Sequence, residues 1–265
     1  MILEPITPSN LNDKKIKNIK KKKILIFSGS NLGCINMFGI LYQLEYLNLF
    51  PQNDIGISFS SGCLVNLCFL LKTKEKTIQN CIYHLSTFFE NQRFYHISID
   101  NRILLFKKIL NFFDCDENIT FLKFKEKYNK ICIFLCLDIN TFKRFVFSHI
   151  TTPNCKILDG FLASTTVPFF YKPFLYENYI LFDPIYLKYN YITLLNNLNI
   201  HFKKKNILYI NRGPTNINNL DIINYKCDEC NIFKNYNFFK IHNYDDINIF
   251  LKNGYISTIN YLKNI

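Results

Sequence analysis

The residues best placed to do chemistry lie in Ile55-Gly56-Ile57-Ser58-Phe59-Ser60-Ser61-Gly62-Cys63-Leu64-Val65. An apolar run of strand character ends in a serine. A small residue, a glycine and a second apolar run follow at once. A strand that turns sharply into a helix holds the serine at its turn exposed and strained, which is how a nucleophile elbow is built. The position two after that serine needs glycine, because strand and helix cross too closely for a side chain, and Gly62 supplies it. The position two before is normally glycine for the same reason, and here it is Ser58. The chain therefore has S-x-S-x-G where the motif is G-x-S-x-G. Ser60 is the candidate nucleophile. Ser58 is its rival, two residues after Gly56, but Ser60 stands where its second glycine is needed. On sequence alone, Ser58→Gly is expected to restore the missing glycine and raise activity.

A serine hydroxyl needs a base. His84, His96, His149, His201 and His242 are the five histidines. None sits in a motif, so no Ser-His-Asp triad is indicated. Among the carboxylates, Asp183-Pro184 closes a strand-like run. Asp138 follows a buried strand and is read as a turn former, and Asp159 as a helix-start residue. Cys227-Asp228-Glu229-Cys230 is one CxxC with no second pair nearby, which does not favour zinc.

These residues need a scaffold. Ile24 to Phe27 predicts a short buried strand, Ile35 to Leu49 a helix with Ile40, Leu41, Leu44 and Leu47 on one face, Ile55 to Phe59 a strand and Gly62 to Leu71 a buried helix. This β-α-β-α start favours a right-handed parallel pair. Thr77 to Phe89, Asn101 to Phe113 and Thr120 to Tyr128 predict an inserted helical region. Strands at Ile131 to Leu137 and Arg144 to Ser148, a short helix at Ile157 to Ser164, strands at Tyr179 to Phe182 and Asn206 to Ile210, and a last helix at Ile247 to Ile265 complete the reading.

With 49% hydrophobic residues over 265 positions the chain is long enough for one large α/β domain and is not disordered. Only four of its 32 basic residues are arginine and it has no Trp, a bias ascribed to an AT-rich genome. The net charge of +12 is concentrated in part at Lys14, Lys15, Lys17 and Lys20 to Lys23. Its plainer meaning is a solvated arm over residues 1–22, ahead of an α/β domain over 23–265. Its functional meaning is attraction to an anionic membrane surface or to nucleic acid. No nucleic-acid motif is present, and the aromatic residues follow apolar periodicity rather than the charges. Cys63, Cys68, Cys132 and Cys136 fall in apolar runs and suggest buried thiols of a reducing compartment. No signal-peptide h-region and no run of about 18 apolar residues is found. The expectation is an intracellular protein, soluble or peripheral to a membrane.

In order and spacing these segments resemble the patatin-like phospholipases. Ser28-Gly29-Ser30-Asn31-Leu32-Gly33-Cys34 stands where that family has its Gly-rich oxyanion loop, with Gly39-Ile40-Leu41 at the expected distance. The elbow follows at Ser58 to Val65. Ile131 to Thr141, then Phe145-Val146-Phe147-Ser148 and Thr152-Pro153, are similar to the family's middle strand pair. Ile157-Leu158-Asp159-Gly160, Ala163-Ser164-Thr165-Thr166-Val167-Pro168 and Lys172-Pro173 resemble its D-A-x-x-A-S-x-A-x-P stretch. Asp183-Pro184-Ile185 takes the place of its D-G-[GA] motif.

The resemblance implies a three-layer α/β/α fold with a mostly parallel sheet. It also implies a Ser-Asp dyad, with Ser60 as nucleophile, Asp183 as base and amides of Gly29, Ser30 and Asn31 as oxyanion hole. The implied reaction is hydrolysis of a phospholipid or other acyl lipid, with no metal or organic cofactor. The departures are Ser30 and Asn31 for glycine, no Arg or Lys in the loop, and Pro184 and Ile185 after the aspartate. They leave a second reading open, a catalytically inactive fold of this kind that binds lipid or a protein partner.

Overall fold

A computed structural model describes residues 2–29, 33–52, 54–89, 98–184, 190–212, 220–225 and 244–263. In chain order the elements are α1 (Asp13–Ile19), β1 (Ile24–Phe27), α2 (Cys34–Tyr46), β2 (Ile55–Ser58), α3 (Gly62–Leu71), α4 (Ile78–Phe89), α5 (Ile99–Phe112), α6 (Phe121–Tyr128), β3 (Ile131–Asp138), β4 (Lys143–Phe147), α7 (Ile157–Ser164), β5 (Phe174–Tyr176), β6 (Tyr179–Phe182), α8 (Tyr191–Asn197), β7 (Ile207–Arg212), β8 (Asp221–Tyr225) and α9 (Tyr244–Lys263).

The strands form one sheet whose bonded neighbours run β5-β6-β3-β2-β1-β7-β8, with β4 also on β3. The five strands β3, β2, β1, β7 and β8 are parallel. β4, β6 and β5 are antiparallel to their partners. The near-continuous apolar runs of β1 and β3 suit strands covered on both faces. Their side chains divide with period two. Leu25, Phe27, Cys132, Phe134 and Cys136 enter a large core shared with α2, α3, α5, α7 and α9. Ile24, Ile26, Ile133 and Leu135 enter a smaller one that α8 closes with Tyr191, Leu194 and Leu195.

The helices lie close to the sheet and to each other at glycines. A side chain at Gly39 would meet the Leu251 carbonyl at 2.5 Å, and one at Gly254 the Asn36 carbonyl at 2.2 Å, so α2 and α9 cross with their backbones almost touching. Gly160 lets α7 rest on the rings of Phe121 and Phe134.

Residues 2–22 do not form the solvated arm that their charge suggested. Ile2 and Ile19 are buried. Gln43 on α2 exchanges two hydrogen bonds with the backbone of Ile6, and Tyr255 on α9 donates to the Leu3 carbonyl. The Lys22 ammonium is fully buried, paired with Asp221 and donating to the Lys205 carbonyl at 2.6 Å. The apolar residues spaced among the lysines dock the segment, while Lys14, Lys17, Lys20 and Lys21 stay exposed.

Candidate active site

Strand β2 ends at Ser58 and helix α3 begins at Gly62, so Ser60 stands in the turn between them. Its φ is +54°, in the left-handed region that serine enters at a cost. This is the strained conformation expected of the elbow. Ser60 is 8% exposed. Gly62 is required as expected, since a Cβ there would lie 2.8 Å from the Phe27 carbonyl and 2.7 Å from that of Ser28. Gly29 lies beside Ser60, and a Cβ there would come within 2.6 Å of the Ser60 Cβ. Helix α2 starts at Cys34, five residues after Gly29. Ser30 and Asn31, the other two residues of the expected oxyanion hole, lie outside the described residues.

The elbow's missing glycine has a physical replacement. Ser58 and Gly56 lie on the face of β2 that meets α3. A Cβ on Gly56 would fall 1.6 Å from Asn66 Oδ1, so the Asn66 side chain occupies the space above that glycine. From there Asn66 Nδ2 donates to Ser58 Oγ at 2.9 Å, and Ser58 Oγ donates to Cys63 Sγ at 3.5 Å. The glycine that admits the helix has moved two residues back along the same face. Ser58 is fully buried and bonded, a structural residue rather than a rival nucleophile.

Asp183 follows β6 and is 1% exposed. The registers show how it approaches Ser60. Phe134 pairs with Ser58 of β2 and with Phe147 of β4. Leu137 pairs with Phe182 of β6 and with Arg144 of β4. A residue carries one partner per edge, so β2 and β6 lie on the same edge of β3, opposite β4. They enter it from opposite ends. Between Phe134 and Leu137 the edge is about 10 Å long. Phe59 and Ser60 run into that gap from one side and Asp183 from the other.

The last residues of α7 fill the gap. Ser164 takes the Ser60 N–H on both its carbonyl, at 3.1 Å, and its hydroxyl oxygen, at 3.0 Å. The same hydroxyl donates to the Leu135 carbonyl at 2.8 Å and accepts from Cys63 Sγ at 3.4 Å. Two residues on, the Thr166 carbonyl accepts from Asp183 N–H at 2.8 Å. One short segment therefore holds both candidate residues by their backbones. Burial pushes the Cys63 thiol up to about 12, and the nearby Asp183 carboxylate adds to that.

Sequence reasoning missed Arg102. It comes from α5, in the inserted helical region, and is 7% exposed. Its Nη1 donates to the Thr165 carbonyl at 2.9 Å and to the Thr165 hydroxyl at 3.0 Å, and its guanidinium lies 4.1 Å from the centre of the Tyr171 ring. Burial lowers its pKa, while Tyr171 and Asp183 act against that. The available signal was compositional. In a chain that uses lysine for almost every cation, each arginine is a choice.

Asp138 is a turn residue, accepting from Asn140 N–H and the Thr141 hydroxyl. Asp159 lies in the first turn of α7. Cys227, Cys230, His96 and His242 lie outside the described residues. Among the described residues no group of three or more His, Cys, Asp or Glu could hold a metal ion, and no helix is long and apolar enough to cross a membrane.

No family model matches the chain, and no curated protein does so by sequence. Solved structures do. VipD from Legionella pneumophila superposes with a TM-score of 0.57 over 92% of this chain and 67% of that one, at 11% identity. The fold is patatin-like. The type III effector protein ExoU covers the same 92% of this chain with a TM-score of 0.46, and this chain spans 53% of its length, also at 11% identity. The likeness to VipD is one of fold alone.

Proposed function

We propose that the chain is a lipid acyl hydrolase of the phospholipase A or lysophospholipase class, working through a Ser60–Asp183 dyad. The observation that carries this reading is the convergence just described: a serine at φ +54° and a buried aspartate enter one gap of one strand edge, both tethered to Ser164–Thr166. In this reading Asp183 accepts the Ser60 hydroxyl proton as Oγ attacks the ester carbonyl. The C–O bond to the alcohol then breaks, the alcohol leaves with that proton, and the acyl group stays on Oγ. Water, deprotonated by Asp183, releases the fatty acid and restores the serine. The oxyanion would sit against the amide donors that follow Gly29, with the N-termini of α2 and α3 supplying favourable field. No step calls for a metal or organic cofactor.

The purified chain should release fatty acid from a phospholipid or from a short p-nitrophenyl ester without added metal. Ser60→Ala and Asp183→Asn should each cost nearly as much as both together, since the two act as a unit. Wild-type turnover equal to that of Ser60→Ala across several acyl lengths and head groups would leave the inactive, lipid- or partner-binding fold as the reading.

A further inference from the structure

We propose that the turn between α7 and β5 is an interfacial anchor, with Phe169 and Phe170 entering the apolar edge of an anionic lipid surface beside the candidate site. The proposal rests on the lipid-ester reading above and names the surface through which that site would meet its substrate.

Phe169 is fully exposed, at 102% of its reference area, and Phe170 is 67% exposed. Two adjacent phenylalanine rings in water are a standing cost that ordinary surface residues avoid. The backbone adds to the oddity. Phe169 has φ +70°, a conformation costly for a bulky side chain with no polar atom to bond locally. Strain of this kind persists where the surroundings impose it. They do so here. Phe170 N–H and Tyr171 N–H both donate to the Val167 carbonyl, and the Arg102 guanidinium lies over the Tyr171 ring. The Thr166 carbonyl at the base of the turn holds Asp183. The turn is thus braced against the candidate site on its inner side and presents two rings on its outer side.

The charge selects the occupant. From Thr165 to Tyr176 the chain holds no acidic residue, and its one charge is Lys172, exposed two residues after Phe170. The first acid beyond the turn is Glu177. The whole chain carries +12. A convex pair of rings beside a lysine suits an anionic bilayer, which accepts an apolar wedge without a matching pocket and attracts the lysine at its head groups.

Because the chain has no Trp, a single introduced indole reports on its own position. In full-length Phe169→Trp, adding vesicles of phosphatidylcholine and phosphatidylserine should shift the emission to the blue and shield it from acrylamide. The matched variant Ile256→Trp on α9, at a site 40% exposed, should show neither. In co-sedimentation with the same vesicles, Phe169→Ser with Phe170→Ser should weaken binding by about tenfold for each ring lost. No shift at position 169, an equal shift at 256, or undiminished sedimentation of the double variant would overturn the proposal. So would a lipid-free self-association that the double substitution abolishes, since the rings would then hold a second copy. Binding is measured in the Ser60→Ala background as well. Vesicle binding without turnover of a soluble ester sinks the enzyme reading and spares the anchor, and the reverse result does the opposite.

Discussion

Replacing Ser58 by glycine would give the elbow the sequence its motif calls for. The structure predicts damage instead of the gain expected from sequence. Ser58 is fully buried and its hydroxyl accepts from Asn66 Nδ2, on an asparagine that is itself fully buried. Ser58→Gly strands that donor, which costs about 1–3 kcal/mol. Glycine within a strand adds about 0.5–1 kcal/mol. The sum, about 1.5–4 kcal/mol, is a large part of the ~5–15 kcal/mol that holds a domain folded. For a chain of this size it should lower Tm by about 3–16 °C. The assay is urea unfolding followed by circular dichroism, with Ser58→Gly, Asn66→Leu and their combination compared. Removing both partners leaves no stranded donor, so the combination should cost clearly less than the sum of the single changes. A Ser58→Gly midpoint at or above that of the wild type, or strict additivity, would refute this account of the elbow.

Three further outcomes follow from the same geometry. Gly29→Ala drives a methyl group to within 2.6 Å of the Ser60 Cβ, so it should cut turnover of a soluble ester by about a hundredfold, as displaced reacting groups do. Unchanged turnover would separate Gly29 from the site. Arg102→Ala removes both bonds to Thr165. It should cost about 1.5–3 kcal/mol of stability by urea titration and should also lower turnover, with Arg102→Lys intermediate in both. Alkaline pH should destabilise the fold. Seven buried thiols are pushed up by desolvation, with Cys34, Cys63 and Cys155 reaching about 12. The folded state therefore keeps protons that the unfolded chain loses from about pH 8.5, so stability is lost as pH rises through that window. Lys22 and Lys130 shift down and act in the opposite sense, but they are two against seven. A urea midpoint that holds or rises between pH 8 and pH 10 would contradict this.

The central strands of the sheet were legible because they are buried on both faces, and continuous apolar runs such as Ile131 to Leu137 have few other uses. The amphipathic helices of the inserted region were legible from their period. Four other elements were not: α1, α8, β5 and β8. α1 is marked mainly by lysines, and what fixes it is the docking of Ile19 and the burial of Lys22 against Asp221, a contact some 200 residues away in sequence. β5 is three residues long and exists by pairing with β6. β8 lies at the far edge of the sheet, outside any motif. At the site, Ser60 and Gly62 announced themselves through local sterics, which act over a few residues and so leave a local signature. The role of Ser58 depends on Asn66, one helix away. That Ser60 and Asp183 approach the same gap depends on two strands sharing one edge of β3, and Arg102 arrives from a different layer. Such relations are set by topology and leave no spacing to read.

If Ser60 is an activated nucleophile, a covalent probe should capture it. The purified chain is incubated with a fluorophosphonate and the modified peptide is identified by mass spectrometry. Phosphonylation is expected at Ser60, with none in Ser60→Ala, strongly slowed labelling in Asp183→Asn, and labelling retained in Ser61→Ala. An unlabelled wild type, or a label that persists on another residue in Ser60→Ala, would contradict it.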